Sequence, residues 1–286
     1  MNGNLKLAIQ KKGRLSEKTL ELLRKCGFEI ETYSERLFIT ARNFELDVLF
    51  LRDDDIPEYV QDGVADIGIV GENVLVEKEA DAEIVKRLGY SRCKLMIGIP
   101  EEQNLQSIKE LDGKAIATSY PKLLKSYLSQ NEITAKIIEI SGSVEIAPSL
   151  GVADYICDIV STGNTLKMNK LKKSFVVFNS EAVLIKNKSL SSEKESLLTD
   201  VLARIDSVLL AKNSKYLMMN VPTDMLEKIQ GIIPSLKSPT VVPLADKALV
   251  AVHAVIPQEK FWSIVNDLKS AGATGILLLP IENMIL

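Results

Sequence analysis

Short runs rich in β-branched residues recur along this chain and are separated by stretches with helical periodicity. Residues 5–9, 47–51, 66–70, 95–99, 114–118, 136–140 and 155–160 read as strands, whereas in 16–26, 56–63, 105–111 and 121–130 the apolar residues recur three and four apart, as one face of a helix requires. Strands that alternate with helices in this way predict a largely parallel sheet covered on both faces. An internal echo divides the pattern in two. GVADIGIVG at 63–71 resembles GVADYICDIV at 151–160, and in each a helix is expected to end at glycine, turn through aspartate and enter a buried strand. Two α/β lobes with equivalent strands would bind ligands in the cleft between them, at the carboxyl ends of the strands. Gly-x-x-Asp turns into strands also arise by chance, and a match this short is compatible with that as well.

At 286 residues, 46% of them hydrophobic, the chain exceeds one small core and predicts two or three domains of roughly 100 residues. No apolar run approaches the ~18 residues of a membrane span, and the basic residues of MNGNLKLAIQKKGR follow its apolar stretch, opposite to a secretory signal. The expected location is the cytoplasm, with no membrane partner. Lys and Arg number 35 against 38 Asp and Glu and are dispersed, which predicts no nucleic-acid surface. Cys26, Cys93 and Cys157 are far apart, with no second Cys or His at metal-ligand spacing, so they read as buried free thiols. His253 is the only histidine and lies in the alternating run ALVAVHAVIP, which argues against a catalytic triad, a Cys-His pair or a two-histidine zinc site.

After Ser189 the pattern changes. A long helical stretch at 192–212 leads into KYLMMNVP, a helix near 224–230, SPTVVPLAD, the strand around His253, a helix over 259–271 and a last strand, GILLLPI. The order strand, helix, strand, strand, helix, strand is that of a ferredoxin-like module.

The loop DIVSTGNTL at 158–166 is the most informative local feature. A buried strand carrying Asp158 opens into Ser161, Thr162, Gly163, Asn164 and Thr165 before apolar residues resume. Such a loop can offer hydroxyls and backbone N–H groups to a phosphate, with the following helix end favouring negative charge; an ordinary capped strand-to-helix turn has the same composition. Upstream, Glu145 falls among small residues at an expected helix start, where it would either improve the helix dipole or, with Asp158, bind two ribose hydroxyls. Lys11 and Arg14 in QKKGRLS, Arg36 before a strand and Arg52 in LRDDDIP read as solvated surface charges or as a polyphosphate clamp. Asp53, Asp54 and Asp55 are expected to cap the helix near Pro57, with a Mg²⁺ role as the lesser reading.

The segments KKGRLS, LRDDDIP, DGVADIGIVGENVL, IATSYPKLLKSYL, SGSVEIAPSLGVADYICDIVSTGNTL, SKYLMM and LKSAGATGILLLPIE resemble, nearly end to end and in the same order, the long form of the ATP phosphoribosyltransferase family. The block over 141–166 is the most specific of them. The resemblance implies an α/β protein with a two-lobed catalytic unit of the periplasmic-binding-protein type, lobe I spanning 1–92 with 181–212 and lobe II 93–180. A ferredoxin-like (ACT/PII-like) regulatory domain would follow at 213–286. The family opens histidine biosynthesis: it joins ATP, through N1 of adenine, to phosphoribosyl pyrophosphate and releases pyrophosphate. It uses Mg²⁺, is feedback-inhibited by histidine, and forms dimers and hexamers.

Carried over, Ser161, Thr162, Gly163, Asn164 and Thr165 would hold the 5-phosphate, and Glu145 and Asp158 would approach the ribose. Arg36 and Arg52 would act on the pyrophosphate as the catalytic pair; Lys11, Gly13 and Arg14 lie on the phosphate side, and Gly71, Glu72 and Asn73 on the nucleotide side. The resemblance fixes no metal ligands. The histidine pocket would draw on Leu236, Thr240 and Gly275, with Asn220 standing where some relatives carry an acidic residue.

The implied reaction suits a chain with one histidine. Adenine N1 has a free lone pair, so its attack on C1 of the ribose needs positioning and charge stabilisation rather than a strong base. A cytoplasmic solute-binding or ligand-sensing protein is the alternative that a two-lobed fold also allows, since fold alone does not decide function. A stand-alone regulatory subunit is disfavoured because the catalytic-looking part occupies most of the chain.

Overall fold

The computed structural model describes residues 3–31, 36–160, 163–235 and 238–285. They form two compact units, Met1–Glu21 with Glu29–Leu197, and Leu22–Phe28 with Leu198–Leu286.

The first unit holds two sheets. Strands β1 (Leu5–Gln10), β2 (Phe38–Thr40), β3 (Leu46–Leu51), β4 (Ile67–Gly71) and β5 (Glu83–Arg87) belong to the first, with helices α1 (Arg14–Lys25), α2 (Ile56–Gln61) and α3 (Glu72–Lys78) between them. The chain then crosses to a second lobe of β6 (Cys93–Pro100), β7 (Ala115–Thr118), α4 (Pro121–Gln130), β8 (Lys136–Glu139), β9 (Tyr155–Val160), α5 (Asn164–Met168) and β10 (Leu171–Ser180), and returns through β11 (Ala182–Lys186). The strand orders are β2-β3-β1-β4-β11-β5 and β10-β6-β9-β7-β8. Central β1, with Leu5, Leu7, Ala8 and Ile9 buried, has the predominantly apolar sequence expected of a strand covered on both faces, interrupted by Lys6.

Both sheets are mixed rather than largely parallel. β3, β1 and β4 run parallel, as do β9, β7 and β8, but β11 pairs antiparallel with β4 and β5, and β6 pairs antiparallel with β9 and β10. The double crossing between lobes is the cause, because a strand that enters a lobe from its partner runs against its neighbours.

The sequence echo is a repeated piece of geometry. Gly63 and Gly151 both turn the chain in the left-handed region, at φ +70° and +66°. Asp66 then accepts a hydrogen bond from the Lys6 N–H at 2.8 Å while its own N–H donates to the Lys6 carbonyl at 2.9 Å. Asp154 makes the same two bonds, of the same lengths, to Ala115. Each aspartate thus pins the first residues of the neighbouring parallel strand and sets the register of β1 or β7.

Three local expectations are corrected. The segment 105–111 is a single 3₁₀ turn, Ile108–Leu111, closed by a Ser107–Glu110 capping box and followed by a turn at Gly113 with φ +71°, so no room remains for an α-helix. Asp53–Asp55 form a 3₁₀ turn of their own; Asp55 precedes α2 with helical φ and ψ and makes no side-chain cap, because capping requires an extended backbone there. Glu145 lies in one 3₁₀ turn, Val144–Ile146, and not at the start of a longer helix.

The second unit begins, within the tail, along α6 (Ser192–Lys212), which carries the chain out of the first unit. It contains β12 (Ser214–Pro222), α7 (Leu226–Ile232), β13 (Thr240–Pro243), β14 (Leu249–Pro257), α8 (Phe261–Ser270) and β15 (Thr274–Pro280). The sheet order β13-β14-β12-β15, antiparallel throughout, is ferredoxin-like. Leu217, Met219, Val221, Val252 and Ile256 alternate inward to meet Ile229 of α7 and Leu268 of α8. The opposite face carries the Tyr216 hydroxyl 2.8 Å from His253 Nδ1. Among the described residues, no helix is long and apolar enough to cross a membrane.

Candidate functional site

In lobe I the parallel strands end along one rim. Lys11 follows β1, its N–H donating to the Leu51 carbonyl at 2.7 Å, and Gly13, at φ +107°, leads to Arg14 at the start of α1. Arg52 follows β3. The antiparallel register Phe38↔Leu49, continued by the Phe50 N–H bond to the Leu37 carbonyl at 2.9 Å, carries Arg36 to the same corner. Lys11, Arg14, Arg36 and Arg52 are exposed.

Gly71, Glu72 and Asn73 stand at the end of β4, held by their own chain. Glu72 forms a bidentate ion pair with Arg87, and Asn73 exchanges hydrogen bonds with Ser180, receiving the hydroxyl at 2.8 Å and donating its N–H at 3.1 Å. A side chain at Gly71 would stand 2.6 Å from Asn73 Oδ1, so glycine is what leaves this junction of β4, α3 and β10 its room.

The facing rim of lobe II contains Ser119 and Tyr120 after β7, Ser141 to Glu145 after β8, and the end of β9. Ser161 and Thr162 lie outside the described residues; Gly163, Asn164 and Thr165 lead into α5. That helix has five residues, so the expected contribution of a helix end to anion binding is small. Gly98 of β6 has no side chain, and a Cβ there would stand 2.8 Å from Ile156 and 3.3 Å from Leu166, so glycine lets Leu166 seat α5 on the sheet. Gly163 has φ +90°, and a Cβ on it would stand 2.4 Å from Lys173 Cε and 2.9 Å from its Nζ. The Lys173 ammonium therefore lies against the loop, delivered by the pairing of Lys173 with Gly98.

Two hollows open between these rims. One of about 610 Å³ is lined by Glu72, Arg87, Lys94, Met96, Val160, Lys173 and Ser180, and one of about 710 Å³ by Asp54, Glu58, Glu77, Tyr120, Glu139 and Ser141. Burial raises the Asp158 carboxyl above its ordinary range; a hydrogen bond from the Ile159 N–H opposes the shift, and the nearby Glu145 charge adds to it. Burial also raises Asp53, helped by Asp54. The Tyr120 phenol is pushed up by burial and then by the charges of Asp158, Asp53 and Asp54. Among the described residues, no group of three or more His, Cys, Asp or Glu side chains is arranged to hold a metal ion.

Of the expected residues, Arg36 with Arg52, and Glu145 with Asp158, are brought together. In the second unit Asn220 and Gly275 are neighbours: a Cβ on Gly275 would lie 3.5 Å from Asn220 Nδ2. Thr240 stands on the edge strand β13, paired with His253, and Leu236 lies outside the described residues. All three thiols are free, but Cys93 is half-buried rather than buried. Burial pushes the Cys26 thiol up to about 12. Sequence reasoning missed Tyr120, Lys173 and Glu77. The available signal for Tyr120 was an aromatic residue directly before Pro121 at a helix start; nothing local pointed to the other two.

Fold and site define a two-lobed α/β protein with charged rims facing a cleft, followed by a ferredoxin-like module. The model of the ATP phosphoribosyltransferase family matches residues 52–207, and that of the HisG C-terminal domain matches 211–283. An ATP phosphoribosyltransferase of Cytophaga hutchinsonii is 51% identical over 285 residues, covering 100% of both chains. One of Bacteroides thetaiotaomicron is 49% identical over 281 residues, covering 98% of this chain and 99% of its own. A chain from the ATP phosphoribosyl transferase (HisG:HisZ) complex of Thermotoga maritima has a TM-score of 0.59 and 32% identity, over 71% of this chain and 98% of that one.

This chain belongs to the ATP phosphoribosyltransferase family. Its reaction is the transfer of the phosphoribosyl group of phosphoribosyl pyrophosphate to N1 of ATP, the first step of histidine biosynthesis, and the solute-binding alternative is set aside.

Proposed function

We propose that the transfer takes place between the lobes formed by 1–92 with 181–212 and by 93–180, with the 5-phosphate held by Ser161, Thr162, Gly163, Asn164 and Thr165. Glu145 and Asp158 face the ribose, whose ring gains positive charge as the bond to pyrophosphate breaks. Arg36 and Arg52 receive the departing pyrophosphate, whose growing negative charge their guanidinium groups match in bidentate geometry. Lys11, Gly13 and Arg14 extend that anionic surface, and Gly71, Glu72 and Asn73 border the nucleotide side, where Glu72 and Asn73 act through the contacts that fix α3. Tyr120 offers the purine a flat, half-buried face.

The observation that carries this reading is the placement of Glu145, on the Val144–Ile146 turn, and Asp158, on β9, on two segments that share one core cluster through Val144, Ala147, Ile156 and Val160. A pair of carboxylates also fits Mg²⁺, which typically takes one or two from the protein and its other ligands from phosphates and water. When bound, the ion neutralises charge on the leaving group.

The same reading makes residues 213–286 a regulatory domain whose histidine pocket uses Asn220, Leu236, Thr240 and Gly275. Histidine inhibits by favouring a less active arrangement of a cytoplasmic homo-oligomer, a dimer or hexamer. Pyrophosphate release from ATP and phosphoribosyl pyrophosphate tests the catalytic part. Arg52→Ala should lower kcat far more than it weakens substrate binding; weakened binding with kcat preserved would contradict the leaving-group role.

A further inference from the structure

Helix α4 begins without a cap of its own. The residue before it is Tyr120, at φ −127° and ψ 63°, where Ser, Thr, Asp or Asn ordinarily supplies an oxygen to the first N–H groups. Pro121 has no N–H to satisfy, and the Leu124 N–H makes the first intrahelical bond, to the Tyr120 carbonyl at 3.1 Å. Two donors remain, on Lys122 and Leu123. Both are taken by one carboxylate from the other lobe: Glu77 of α3 accepts the Lys122 N–H on Oε1 and the Leu123 N–H on Oε2, each at 3.0 Å. The Lys122 ammonium adds an ion pair with Glu79 at 2.7 Å, an exposed contact of small weight.

On its other side Tyr120 is fixed within lobe II. Its N–H donates to Thr118 Oγ1 at 2.9 Å, and that hydroxyl donates to the Cys157 carbonyl at 2.7 Å. Support for Tyr120 from across the cleft runs through the capped end of α4. Parting of the lobes would return the Lys122 and Leu123 N–H groups to water, so closing the cleft and capping the helix are one event.

We propose that Glu77 is a positioning residue for the transfer: by capping α4 from the opposite lobe it couples closure of the cleft to the placement of Tyr120 beside the reacting groups. The inference rests on the reading that the substrates meet in this cleft. Because α4 carries no side-chain cap from its own lobe, the Lys122 and Leu123 N–H groups that follow Tyr120 are satisfied only when α3 is near.

The test is a double-substitution cycle in the full chain, read as kcat and KM for ATP and for phosphoribosyl pyrophosphate. Glu77→Ala should lower kcat/KM by about fivefold, the change expected from losing a cap of ordinary strength. Glu77→Gln keeps one acceptor oxygen but turns its amide N–H₂ toward the other N–H, so it should recover only part of that loss. In a Tyr120→Ala background the same Glu77 substitutions should have almost no further effect, because the route through Tyr120 is gone. Independent, fully multiplying effects of the two positions overturn the proposal, as does a Glu77→Ala enzyme that melts earlier but keeps its kinetics. Should Glu77→Ala fail to fold, Glu77→Gln completes the same cycle. Arg52→Ala, assayed alongside, separates the two levels: an inert Glu77 with a responsive Arg52 overturns this inference alone, whereas an inert Arg52 overturns the reading beneath it.

Discussion

Replacing Gly163 with alanine should weaken binding of phosphoribosyl pyrophosphate without touching ATP. At φ +90° the backbone of Gly163 lies in a region that a side chain disfavours by about 1–3 kcal/mol. The new methyl would also stand 2.4 Å from Lys173 Cε, but that atom is near the end of a flexible side chain and can swing aside, so the torsional cost dominates. If the phosphate is bound by this loop conformation, the strain must be met on binding, and the dissociation constant should rise by about 5- to 150-fold. Calorimetric titration and the KM for phosphoribosyl pyrophosphate measure it directly. Adding Lys173→Ala removes the steric contact but not the torsion, so affinity should not return to that of the wild type. Gly151→Ala is the control: φ is +66° there, yet nothing lies within 4 Å of the added methyl and the residue is outside the loop, so it should lower stability and leave both affinities alone. An unchanged affinity in Gly163→Ala would refute the assignment of the loop.

The pH dependence of kcat/KM should show an acidic limb above the ordinary carboxylate range, because burial and then Glu145 raise Asp158 and its ionised form is the one that favours the cationic ribose. Glu145→Gln removes the like charge and should move that limb to lower pH, whatever it does to the maximal rate; a limb that stays in place or rises contradicts the arrangement. The two strand-pinning aspartates should differ in weight. Asp66 is 5% exposed and also pairs with Lys194 at 2.8 Å, so Asp66→Ala leaves a half-buried ammonium without its partner and should cost about 3 kcal/mol. Exposed Asp154 has water as a substitute, so Asp154→Ala should cost about 1 kcal/mol. Urea denaturation compares them, and equal losses would contradict the burial argument.

Much of the fold was legible because its signals are local. The buried strands β1, β4 and β9 are predominantly apolar runs, α4 has Pro at its first position and Leu123, Leu124 and Leu128 on one face, and the Gly-x-x-Asp echo marks two equivalent strand starts. Strands β5 and β10 were not legible. Their residues are mostly half-exposed, with charges in EIVKR and LKKSFVVFNS that resemble loop sequence, and only pairing with distant strands makes them extended. The mixed direction of the sheets follows from the double crossing between lobes, which no local pattern encodes.

The candidate site divides in the same way. Glu145, Asp158 and the 161–165 loop are contiguous enough to suggest chemistry. Lys173 reaches Gly163 through the register of β10 on β6, and Glu77 reaches Lys122 across 45 positions of sequence. Such residues become visible only when the strand and lobe pairings are known.

The most direct measurement is a crystal structure of the chain with phosphoribosyl pyrophosphate bound. The 5-phosphate should lie on the loop after Val160, with the ribose hydroxyls facing Glu145 and Asp158 and the pyrophosphate directed toward Arg36 and Arg52. A 5-phosphate bound at the Lys11–Arg14 segment instead, or a ribose remote from Asp158, would contradict it.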